Sequence, residues 1–256
     1  MNKLEQLYSL QGKTIIVTGA SSGLGLSMTI MLAECGAKVY GLSRRGIPEK
    51  EVGTLSHGEI IFDKLDVTDK ASVQKKFKEI ADANNGVIDV LVNNAGVTIK
   101  NRAEEFTTKD WEYIQSINVS AVFSCCQEAY PYLKMANNVG RIINISSMAS
   151  FLGFSEVVPY SSSKAAVLGI TRGLSVEWAQ DNILINSVSP GWFPSEMTQG
   201  VMDDDRKAKI LNRMPLHRFG KPEELAAMIS FLASPAASYI TGQDFSVDGG
   251  ALAFGY

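Results

Sequence analysis

Histidine is nearly missing from this chain, with two in 256 residues. His57 lies in "LSHGE" and His217 in "PLHRFGKPEE", neither near a G-x-S-x-G setting, so a Ser–His–Asp hydrolase is excluded. Cysteine is scarce as well. Cys35, Cys125 and Cys126 lack C-x₂-C spacing, which argues against zinc, and three thiols make no disulfide framework. Adjacent Cys125 and Cys126 fall in a helical pattern and suit core packing. There is no long basic run and the net charge is −3, so nucleic acid is not the main partner; binding phosphates needs a cationic face. No stretch of 18 apolar residues occurs, and the opening "MNKLEQLYSLQGK" has no apolar h-region. The expectation is a protein of the reducing cytoplasm with no membrane partner. Repeats, low-complexity tracts and linkers rich in Gly, Ser or Pro are missing too. The acids "DDD" at 203–205 precede "RKAK" and read as a charged helix start, because acids favour a first turn and bases a later one. No metal is expected.

What is present is a rhythm. Hydrophobic residues make up 45% of the chain and charged ones 20%, ordinary for a globule able to bury a large core. Short β-branched runs at 14–18, 38–42, 59–66, 88–94, 141–146, 184–189 and 244–248 read as strands. Helical patterns fall near 23–35, 69–83, 109–136, 160–180 and 222–233. Continuous apolar runs suit strands buried on both faces, and strand–helix alternation predicts a parallel sheet. The fold class is therefore a single doubly wound, Rossmann-type α/β domain over 1–256 with about seven strands. Residues 190–221 break the rhythm, and 192–218 are expected to form a substrate lid.

The first strand runs into "TGASSGLG". Gly19 permits a tight turn, Gly23 lets backbone approach a pyrophosphate, and Gly25 allows close helix–strand packing. Ser21, Ser22 and Leu24 belong to the same cofactor turn, and the following helix aims its N–H groups at phosphate. The second strand ends in "GLSRR", without the acid that would accept a ribose 2′-hydroxyl. Ser43 and Arg44, followed by Arg45, suit a 2′-phosphate instead, so NADP is expected over NAD. Asp66, with Val67 beside it, fits two readings: a contact to the adenine amino group, or a strand-closing turn.

Further on come "NNAG" (93–96), "IINISS" (142–147), "YSSSK" (160–164) and "SPG" (189–191). With the glycine turn, this order and spacing resembles the short-chain dehydrogenase/reductase family over about residues 10–250. The resemblance implies an NADP-dependent reduction of a carbonyl to a secondary alcohol, reversibly. It implies Tyr160 as general acid/base and Lys164, one helical turn on, as its positive neighbour and a holder of the nicotinamide ribose. A free phenol titrates near 10, and moving it to about 7 needs roughly 4 kcal/mol of phenolate stabilisation. The family places a serine thirteen residues before the tyrosine, hence Ser147 rather than Ser146, to hold the carbonyl oxygen. Asn118, in "SINVSAVF", corresponds to an asparagine that bends its helix and holds a proton-relaying water. Asn94, Ala95 and Gly96 lie against the cofactor, and Pro190 and Gly191 approach the nicotinamide.

Phe151, Leu152, Phe154 and Glu156 are expected to line the substrate pocket. Trp192, Phe193, Met197, Val201 and Met202 fit either an apolar wall of that pocket or packing on the body. "PGWFPSEMT" looks similar to 3-oxoacyl reductases and to sugar-acid dehydrogenases. The helices near 109–136 and 160–180 build a dimer interface in this family, so a homodimer or homotetramer is expected. Two alternatives stand beside the main reading: an NAD-dependent sugar-acid or polyol dehydrogenase, and a non-catalytic dinucleotide-sensing scaffold.

Overall fold

Thr14–Thr18 (β1) is β-branched at all five positions and wholly buried, as a strand covered by helices on both faces must be. A computed structural model, which describes residues 2–194 and 204–254, builds the rest around it. After the short helix Lys3–Tyr8 (α1) and β1 come Gly23–Glu34 (α2), Lys38–Ser43 (β2), Glu59–Lys64 (β3) and Lys70–Asp82 (α3). Val90–Asn93 (β4), Thr108–Gln115 (α4), Ala121–Leu133 (α5), Gly140–Ile145 (β5) and Val158–Glu177 (α6) follow. Ile183–Pro190 (β6), Asp204–Asn212 (α7), Pro222–Ala233 (α8) and Asp244–Val247 (β7) complete the order.

Among the described residues the sheet has seven parallel strands in the order β3-β2-β1-β4-β5-β6-β7. One core, with Met28, Leu32, Leu225 and Ile229, lies under α2 and α8. The other, with Phe77, Ile80, Cys126 and Leu174, lies under α3, α5 and α6. The strand order reverses between β1 and β4. Connections leave these neighbours in opposite directions, which opens a crevice at their carboxyl ends.

Local chemistry sets the helix starts. The Asp69 side chain accepts from the Ser72 amide at 3.2 Å and begins α3, while Thr107 and Asp110 cap α4 reciprocally. The helical pattern expected as one unit over 109–136 is interrupted. Ser116–Ser120 forms a π turn between α4 and α5, with Asn118 at its centre. α1 was not anticipated, because six residues carry little periodicity.

Candidate active site

The glycine turn is built by close approach. Gly19 has φ +68°, and a Cβ on Gly25 would collide with the Gly19 carbonyl and the Asn94 amide, so α2 starts against the strand only because both residues are glycine. Asn94 Nδ2 donates to the Thr18 carbonyl at 3.0 Å and the Gly19 carbonyl at 3.1 Å, pinning the turn to the end of β4. Thr18 Oγ1 accepts the Asn94 and Ala95 amides, each at 3.1 Å. Thr18 was passed over in the sequence; its signal was its place directly before Gly19. An added Cβ on Gly23 would meet nothing within 4 Å, so the space beside it is empty.

Around this turn lies a cleft of about 2190 Å³, larger than the roughly 300–1,000 Å³ of a drug-sized site and roomy enough for a dinucleotide with a substrate. Every sequence-nominated cofactor residue lines it, from the glycine turn through Ser43, Arg44, Asp66 and Val67 to Pro190 and Gly191. Gly191 also has a packing reason, since a Cβ there would come within 2.5 Å of the Asp248 backbone. Asp66 is exposed; the Thr68 hydroxyl and amide bonds hold its carboxyl below the usual range, helped by the charge of Arg44. Arg45 and Glu49 line the cleft as well. Arg45 Nε donates to Ser21 Oγ at 3.1 Å.

Ser147, Tyr160 and Lys164 line the same cleft. Pro159, tolerated in a first helical turn because it has no N–H to satisfy, helps start α6 just ahead of Tyr160. Lys164 therefore falls one turn on along the same face, its Nζ 5.8 Å from the centre of the Tyr160 ring. Ser147 stands close enough to Tyr160 to favour its phenolate, and its Oγ accepts from the Ala149 amide at 3.1 Å. Ser146 turns the other way, donating to the Lys164 carbonyl at 3.0 Å.

Asn118 does not reach the cleft surface. It is fully buried, accepting from the Val97 amide at 2.9 Å and donating to the Val97 carbonyl at 2.9 Å and to Ser163 Oγ at 3.0 Å. The π turn thus holds the loop segment that follows "NNAG", through a side chain that mimics a neighbouring backbone. Ser163, the last serine of "YSSSK", is a partner that the motif alone did not single out. Gly96 lies between the two sides: a Cβ there would stand 3.3 Å from Asn118 Oδ1 and 3.4 Å from Lys164 Nζ.

The electrostatics differ from the expected direction. Tyr160 opens partly onto the cleft, yet burial raises its phenol above the ordinary 10.0, and Ser147 only offsets this in part. Lys164 Nζ donates to the Ile145 carbonyl at 2.8 Å, and burial lowers it from the ordinary 10.5 to about 8. Each group moves toward its neutral form because each loses water. A consequence is measurable. Between about pH 8 and 10.5 the unfolded chain binds a proton that folded Lys164 has released, so stability rises with pH over that window. Relative to Lys164→Met, the unmodified protein is expected to gain on the order of 3 kcal/mol between about pH 7.5 and pH 10 in urea unfolding. Parallel pH profiles would refute the shift.

At the other end of the cleft, Leu152, Phe154 and Glu156 line the wall, and Phe154 meets Trp192 edge-on at 6.1 Å. Phe151 does not join them; it is 52% exposed and points away, because the chain turns sharply at Met148–Ser150. Phe193 packs into the α2–α8 core and also lines the cleft beside Trp192, so it meets both of the roles left open. Met197, Val201 and Met202 lie outside the described residues. Cys125 and Cys126 are buried; the Cys126 thiol is pushed up to about 12 by burial. Among the described residues no His, Cys, Asp and Glu cluster could hold a metal, and no helix is long and apolar enough to cross a membrane.

Comparison with known proteins points the same way. A family model described as enoyl-(acyl carrier protein) reductase matches residues 19–251. The 2-dehydro-3-deoxy-D-gluconate 5-dehydrogenase of Escherichia coli is 38% identical over 96% of this chain and 98% of its own. The 3-oxoacyl-(acyl-carrier-protein) reductase of Thermotoga maritima is also 38% identical, over 94% and 98%. A crystal structure of a gluconate 5-dehydrogenase from Burkholderia cenocepacia, in complex with NADP and tartrate, is 31% identical with a TM-score of 0.88, covering 98% of this chain and 99% of that one.

Proposed function

Since the chain belongs to the short-chain dehydrogenase/reductase family and is an oxidoreductase, we propose that it uses NADP(H) to interconvert a carbonyl and a secondary alcohol at the cleft described above. The observation that carries this reading is the convergence of Ser147, Tyr160 and Lys164 with the glycine turn on one cleft. A structural relative bound to NADP supports the cofactor, as does the absence of an acid at the end of β2.

NADPH, when bound, supplies the hydride. The N-terminal amides of α2 and Arg44 would hold its phosphates, the glycines admitting the backbone's close approach. Tyr160 gives its hydroxyl proton to the carbonyl oxygen in reduction and takes it back in oxidation. Ser147 donates a hydrogen bond to that oxygen and holds it where negative charge develops. Lys164, deprived of water, bonds ribose hydroxyls and steadies a charge forming on Tyr160. Asn118 acts one layer below by fixing Val97 and Ser163. From the segment expected as a lid, Ile210, Arg213 and Met214 line the cleft.

A second reading, oxidation or reduction of a sugar acid, is favoured by the cation Arg213 on the cleft wall, which suits a carboxylate. Self-association is part of the proposal, because Trp111, Tyr113, Phe123 and Val176 on α4, α5 and α6 are exposed apolar groups. Three cysteines with no disulfide framework support a cytoplasmic setting. The test is NADPH oxidation over a panel of ketones, 3-oxoacyl thioesters and keto-sugar acids. Turnover on one class is expected and names the substrate. Tight NADPH binding with no turnover on any would favour the sensing scaffold.

A further inference from the structure

The acid missing from the end of β2 returns a few residues later, folded onto the cofactor turn. Just past β2 the Gly46 amide donates to Ser43 Oγ at 3.0 Å, and Gly46 takes φ +74°. A Cβ there would collide with Lys64, so only glycine lets the chain reverse at this point. Pro48 then restricts Ile47 to extended backbone and stiffens the return. The returning strap meets the turn at three places. Arg45 reaches Ser21 Oγ, the Glu49 amide donates to the Ser21 carbonyl at 2.8 Å, and Glu49 Oε1 accepts from the Gly23 amide at 3.0 Å.

That last contact is where the inference lies. Gly23 is the first residue of α2, and Ser22 before it makes no side-chain cap. The Glu49 carboxylate supplies the cap from outside, as an anion on the positive end of a helix. The Gly23 amide has one hydrogen. A phosphate oxygen that takes it and a carboxylate that holds it are competitors, and their like charges repel when both are near.

We infer that Glu49 is a built-in competitor for the phosphate-binding end of α2, displaced as NADP(H) binds and returning as it leaves. It sets cofactor affinity and release without touching the reacting atoms. The inference rests on the NADP reading above. Its side chain is exposed and touches no core residue, so replacement leaves the fold intact.

The test uses Glu49→Ala and Glu49→Gln, with NADPH binding followed by calorimetry and melting followed with and without NADPH. Glu49→Ala is expected to bind NADPH about three- to tenfold tighter, the scale of a charge at a helix terminus. Glu49→Gln should lie between, since an amide is a weaker acceptor than a carboxylate. Losing the cap should lower the Tm of Glu49→Ala without NADPH and enlarge its rise on saturation, which a purely structural role would not do. Unchanged or weaker NADPH binding in Glu49→Ala would overturn the inference. Failure of the unmodified protein to bind NADPH would instead strike the NADP reading itself.

Discussion

Tyr160→Phe is expected to lower kcat by about a thousandfold or more while leaving the Kd for NADPH within about twofold. The substitution removes one oxygen and keeps the ring. Lys164 Nζ keeps its bond to the Ile145 carbonyl, and Ser147 keeps the Ala149 amide, so neither neighbour is stranded. The glycine turn and Arg44 are untouched, which is why cofactor binding should persist. What disappears is the only proton donor among the three cleft-lining candidates held beside a cation, and general acid catalysis is worth about 10²–10⁴. Stability should hold or rise slightly, since a buried phenol hydroxyl with one partner adds little. Steady-state rates and calorimetry on the same preparation check this. Retention of more than a few per cent of the activity would mean that another group moves the proton, and the assignment of Tyr160 would fall.

Arg44→Asp carries the second large effect, this time on cofactor choice. Arg44 is exposed at the end of β2 and lines the cleft, near enough to Asp66 for its charge to be felt there. As a guanidinium it offers a planar fork to a 2′-phosphate. As a carboxylate, position 44 would repel that phosphate and accept a ribose hydroxyl. Loss of a charge-assisted bond together with new repulsion amounts to at least about 3 kcal/mol, or about a hundredfold in the ratio of kcat/KM for NADPH over NADH. The ratio measured for the variant and the unmodified protein decides the matter. An unchanged ratio would remove Arg44 from the recognition of the 2′-phosphate.

Much of this molecule is legible along the chain. The central strands stand out because buried parallel strands are largely apolar, as the runs in "TIIVT" and "VLVN" are, and burial leaves that mark residue by residue. The glycine turn is legible because its backbone forbids a Cβ at Gly25. Tyr160 and Lys164 share a face because both belong to one helix.

Long-range convergence left no such mark. The strand order brings "NNAG" against Thr18 and Gly19, and no local pattern encodes which crossover lands where. Asn118 could be nominated, but not the π turn that turns it toward Val97, since that bulge depends on a partner far along the chain. Nothing in the sequence singled out Glu49, which only the reversal at Gly46 lays on α2. The shifts at Tyr160 and Lys164 ran against simple pairing of a phenol with a cation. A charge's cost depends on how much water the surrounding fold removes, and that is a property of the packed molecule rather than of residues four apart.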